Sequence, residues 1–112
     1  MSIAGDLIRV HTDAIILARL LRGDSYGYEI NKTISTLSSG RFELKEATLY
    51  TAFKRLEEQG YIASYWGDSG AGARRRYYTI TAAGKDASFR LLAEWRETKE
   101  IMAKLLEVEG ER

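Results

Sequence analysis

Three consecutive arginines, Arg74, Arg75 and Arg76, follow a glycine-rich stretch and precede Tyr77 and Tyr78. A guanidinium is planar, always charged and rich in N–H donors, which suits it to phosphate. Upstream, Thr48, Tyr50, Thr51, Lys54 and Arg55 crowd into one helical pattern. Short hydroxyl side chains reach base edges or phosphates at close approach, and Lys and Arg reach phosphates from further out. This chemistry suits recognition of duplex DNA better than it suits catalysis. The chain of 112 residues has no cysteine and one histidine, His11. With no phosphate loop and no paired carboxylates either, no enzyme, metal or cofactor reading has candidate residues. The formal net charge is only +1, so any DNA surface must be a local patch.

These residues need a scaffold, and hydrophobic periodicity supplies one. Leu7, Ile8, Ala14, Ile15, Ala18 and Leu21 predict a first helix over about residues 6–22. Gly23 then stops it, and Asp24 or Ser25 restarts the chain as a cap. A second helix is expected over 26–38, with Ile30, Ile34 and Leu37 on one side and Tyr26 and Tyr28 packing. Phe42 and Leu44, alternating with Glu43, suggest a very short strand. A third helix over 46–59 places Leu49, Phe53 and Leu56 on one face and the threonines and Lys54 on or near the other. The stretches 61–66 and 75–80 are rich in strand formers and flank a long glycine-rich turn, which reads as a hairpin. Alternation along its second strand predicts that Arg75 points away from Arg74 and Arg76. Trp66 reads as a structural residue of the first strand.

Thr81 is placed to cap a last helix that runs to about Val108. Its residues Leu91, Trp95, Thr98, Met102 and Leu105 follow a four-three-four-three spacing, a heptad seam broken only by Thr98. Such a helix spans about 40 Å, more than a domain of this size covers. A second chain is the expected cover, with His11 at the same interface. The whole is expected to be a mainly α (α+β) winged helix-turn-helix, with a DNA-binding unit over 1–81 and a dimerisation helix over 82–112.

Tyr26-Gly27-Tyr28-Glu29-Ile30, Glu46-Ala47-Thr48-Leu49-Tyr50, Arg55-Leu56-Glu57-Glu58-Gln59-Gly60-Tyr61-Ile62 and Arg74-Arg75-Arg76-Tyr77-Tyr78 together resemble the PadR family of transcriptional regulators. The resemblance covers nearly the whole chain. The single C-terminal helix, with Trp95 preceded by Leu91 and Leu92, is similar to that of the short subgroup of multidrug-resistance regulators. It implies a homodimeric repressor on a pseudo-palindromic operator, with the last helix of each chain on the first helix of the other. It further implies an apolar slot between paired Trp95 residues, with Leu7, Ala14, Leu91 and Leu92 nearby. A planar aromatic effector would fit between two indole faces. Two positions depart from that pattern: Asp13 stands for an uncharged amide, and Lys99 for an acid.

Two alternatives stay open, a winged-helix protein-interaction module without specific DNA binding and a regulator with no effector. The apolar runs are too short to span a bilayer, and no secretory signal precedes the first helix, so a cytoplasmic location is expected.

Overall fold

The computed structural model describes residues 3–68 and 74–107. Five helices and three strands follow in the order α1 (Ile3–Arg9), α2 (Thr12–Leu20), β1 (Ser25–Tyr26), α3 (Gly27–Leu37), α4 (Glu46–Glu58), β2 (Ile62–Asp68), β3 (Arg74–Ile80) and α5 (Ala82–Leu106). The antiparallel sheet has the order β1-β3-β2. This is a winged helix-turn-helix with a long C-terminal helix. The heart of the expected glycine-rich turn, residues 69–72, lies outside the described residues, as does Val108.

The first expected helix is two helices. His11 leaves helical geometry at φ −101° and ψ 18°. There the Thr12 hydroxyl donates to the Arg9 carbonyl at 2.5 Å. Ile16, Leu17 and Leu20 of α2 then enter the core, while Leu7 and Val10 stay exposed. The expected strand at Phe42 and Leu44 is absent too. Both residues are buried, but a side chain takes the place of a neighbouring strand. Asn31 accepts from the Leu44 N–H at 2.8 Å and donates to its carbonyl at 2.7 Å. The third strand is instead β1, whose Ser25 and Tyr26 stand opposite Tyr78 and Tyr77 of β3.

Helix α4 ends as its sequence implies. Gly60 takes φ +79°, its N–H donates to the Glu57 carbonyl, and that of Tyr61 donates to the Leu56 carbonyl. This paired arrangement closes the last turn, and the left-handed position favours glycine. Leu49, Ala52, Phe53 and Leu56 turn into the core. Phe53 stacks on Tyr78 of β3 with centroids 3.9 Å apart, joining α4 to the sheet.

Thr81 caps α5 as expected, accepting from the Gly84 N–H at 3.0 Å. The same hydroxyl donates to the Gly60 carbonyl at 2.7 Å. One side chain therefore ties the end of α4 to the start of α5. Gly84, Ala87 and Ser88 are buried and Leu91 is partly covered; from Leu92 to Leu106 every residue of α5 is exposed.

Candidate nucleic-acid interface

Because α4 turns about 100° per residue, its buried face leaves Ala47, Thr51, Lys54 and Glu58 as the row most directly opposed to the core. Thr51 and Lys54 are thus presented outward, in the manner of a helix that enters a major groove. Ala47 belongs to this row and escaped sequence reasoning. Its one-carbon side chain carries no chemical signal, yet it permits close approach and can meet a thymine methyl. Tyr50 is half-exposed on the wing side of the row, edge-on to Phe53 at 5.5 Å. Its hydroxyl lies against Gly27, where a Cβ would come within 2.6 Å of it. Tyr50 therefore packs with one edge and faces solvent with the other.

Thr48 and Arg55 lie on the opposite flank of α4 and face α2 and α5. Arg55 donates to both carboxylate oxygens of Asp13, Nη2 to Oδ1 at 2.5 Å and Nε to Oδ2 at 3.2 Å. This hydrogen bonding raises the guanidinium pKa above its ordinary value. A residue expected on phosphate and one expected near an effector are thus partners. Both line an open cleft of about 670 Å³ together with Ala14, Thr48, Thr51, Leu91 and Trp95. The His11 ring meets Trp95 edge-on at 5.2 Å in the same wall. Leu7, Leu92 and Lys99 are exposed and do not line this cleft within one chain.

The hairpin β2–β3 forms the wing, and its arginines alternate as expected. Arg75 lies over Tyr26, 4.5 Å from the ring centroid, whereas Arg74 and Arg76 lie over Trp66 at 5.4 and 5.9 Å. Arg76 also approaches Glu57 of α4 at 3.7 Å, and Ser64 of β2 donates to that carboxylate at 2.8 Å. Glu57 thereby fixes the wing relative to α4. On the far face Tyr65 stacks on Tyr77 and donates to Asp24 at 2.6 Å. That bond holds the Asp24 carboxyl below, and the Tyr65 phenol above, their ordinary pKa. Burial likewise pushes the Tyr78 phenol up.

Two aromatic expectations need correction. Tyr28 is 70% exposed at the start of α3 rather than packed, and Trp66 is 55% exposed beside the arginines. Tyr26 does pack, edge-on to Tyr77 at 5.3 Å.

The arrangement of α4 and basic wing is similar to that of known proteins. Residues 16–89 match the transcriptional regulator PadR-like family. An uncharacterized protein of Lysinibacillus sphaericus is 46% identical over 105 residues, 94% of this chain and 96% of that one. A transcriptional regulator from Clostridium thermocellum superposes with a TM-score of 0.85 at 44% identity, covering 95% of this chain and all of the other. A PadR family transcription regulator from Clostridium difficile R20291 gives 0.75 at 39% identity, covering 87% of this chain and 99% of that one. Among the described residues no helix is long and apolar enough to cross a membrane.

Proposed function

The chain belongs to the PadR-like family, a family of DNA-binding transcriptional regulators and not of enzymes, and on that footing we propose that it is a cytoplasmic, homodimeric repressor of a pseudo-palindromic operator. The observation that carries this reading is the outward row of α4 beside a wing bearing three arginines. In each protomer Thr51 and Lys54 enter the major groove, with Thr48 and Tyr50 at its edges. Arg74, Arg75 and Arg76 follow the adjacent backbone or minor groove. The two α4 helices meet half-sites one helical turn apart, about 34 Å, or a multiple of it. The exposed stretch of α5 pairs the protomers.

Fluorescence anisotropy with a labelled duplex from the region upstream of the gene tests this, against a scrambled duplex and across a salt series. Lys54 and the wing arginines of two protomers supply up to eight phosphate contacts. The logarithm of the affinity should then fall with the logarithm of salt at a slope of about −4 to −7. Affinity for neither duplex would favour an interaction module instead.

The cleft supports an effector for the same protein. Trp95 offers an indole face, 42% exposed, and a second copy of α5 would bring its mate across the two-fold axis. A planar aromatic molecule fits such a slot, with Ala14 and Leu91 as apolar walls and Leu7 and Leu92 from the paired surfaces. Asp13 and Lys99 bias its charge in opposite directions. Asp13 is also the partner of Arg55, so a ligand that draws on this carboxylate alters a contact that positions α4. Ligand and operator must then weaken each other by the same factor. Trp95→Ala is expected to lower affinity for planar dyes by about five- to a hundredfold while the protein stays dimeric, by titration calorimetry and sedimentation. A two-ring clamp reduced to none loses stacking on both faces, about 1–3 kcal/mol. Unchanged dye affinity would place the slot elsewhere.

A further inference from the structure

Among the described residues of the wing, Trp66 is a large side chain whose position folding does not explain. It shares a strand face with Ile62 and Ser64. Ile62 is buried in the core and Ser64 is held by Glu57. Ile62 is the buried residue of β2, and four residues on Trp66 is 55% exposed. Exposing so much aromatic surface does nothing for stability. The guanidiniums of Arg74 and Arg76 instead lie over the ring, 5.4 and 5.9 Å from its centroid, and the ring stands directly across the ladder from Arg76. A guanidinium stacked on a ring keeps its N–H edge free for oxygen acceptors and loses rotamer freedom. Arg76 is further steered by Glu57, so the whole group is oriented relative to the reading helix. The ladder pair of Asp68 and Arg74 lies two positions further along the same face of the hairpin.

Resting on the duplex-binding reading above, we propose that Trp66 is itself a DNA-contacting residue. Its indole lies on the sugar edge of the minor groove, and it holds Arg74 and Arg76 as preformed donors to the flanking phosphates. Apolar and basic groups together are what that surface accepts, since sugar carbons and phosphate oxygens alternate along it. A protein partner is the poorer fit, because an indole hemmed by two guanidiniums offers little continuous apolar area.

The test uses the full-length chain and the duplex that the wild type binds. Trp66→Ala is expected to bind about tenfold more weakly, as for loss of a stacked aromatic with its cations. Its salt slope should flatten by about 2, one phosphate contact per wing. Trp66→Phe, which keeps a ring face, should stay within about threefold of wild type. Incorporation of 5-fluorotryptophan gives a second readout. The chain has two tryptophans, and the Trp66→Phe spectrum assigns their ¹⁹F signals. The Trp66 signal should shift when duplex is added. A Trp66→Ala protein with wild-type affinity and slope overturns the proposal alone, as does an affinity loss with no shift of the Trp66 signal. A wild type without affinity for duplex overturns both this proposal and the regulator reading.

Discussion

Gly84→Ala is expected to lower the melting temperature by about 4–12 °C, although alanine is the better helix former. Propensity alone assigns the change a gain of about 1 kcal/mol within a helix. The packing assigns the opposite sign. A Cβ at residue 84 would overlap the Tyr61 carbonyl and come within 2.7 Å of Ile80 Cγ1. Neither neighbour can yield cheaply. The Tyr61 carbonyl accepts from the Thr81 N–H at 3.0 Å, and Ile80 closes the strand that carries Tyr78 into the core. Relief would require α5 to shift away from the end of α4, which breaks the Thr81 bridge between Gly60 and Gly84. Overpacking against backbone costs about 1–3 kcal/mol and sometimes more. Loss of the cap adds about 1 kcal/mol. For a domain of this size each kcal/mol moves the midpoint by about 4 °C. Thermal unfolding followed by circular dichroism measures it, and a midpoint equal to or above wild type would show that the α4–α5 junction is soft.

The same junction marks the limit of what the chain discloses before it folds. Thr81 as a cap and Gly60 as a terminator are local chemistry, so both are legible from residue type. The apolar row of α4 is legible for the same reason, since one period of 3.6 runs through it, and so are Ile30 and Ile34 of α3, whereas Leu37, expected beside them, is 65% exposed. The break at His11 is not, because neither glycine nor proline interrupts the pattern there. It depends on the Thr12 hydroxyl bonding to the Arg9 carbonyl, one of several options open to a threonine. The small third strand is misplaced for a related reason. Phe42 and Leu44 alternate as a strand does, and only the fold brings Asn31 beside Leu44 to occupy its backbone groups. β1, by contrast, is two residues long and carries no periodicity.

The candidate interface divides along the same line. The wing arginines and the polar face of α4 announce themselves by type and spacing. The Asp13–Arg55 pair does not, because its members are far apart in the chain and only the packing of α2 beside α4 joins them. Trp66 follows the strand alternation correctly, on the face that bears Ile62. What alternation cannot convey is where the core ends, and that decides whether a tryptophan is buried or offered to a ligand.

Placing glutamate at both Met102 and Leu105 is expected to convert the proposed dimer to a folded monomer and to lower operator affinity on the order of a thousandfold. The two residues lie on the heptad seam of α5 and are 44% and 72% exposed within one chain. They touch none of the core, whose contribution from α5 ends at Leu91. The winged helix should therefore keep its helical content, and the substitutions should act only across the seam. There, four carboxylates facing one another in low dielectric repel strongly. The DNA consequence follows from geometry. A monomer meets one half-site and loses the second set of groove and phosphate contacts. It also loses the prepaid alignment of two reading heads. Its affinity then approaches that for unrelated duplex, which lies at least about a thousandfold below specific binding. Sedimentation equilibrium and anisotropy on the same preparations separate the two effects. A variant that remains dimeric would move the interface away from this seam, and a monomer with undiminished operator affinity would mean that each winged helix reads its DNA alone.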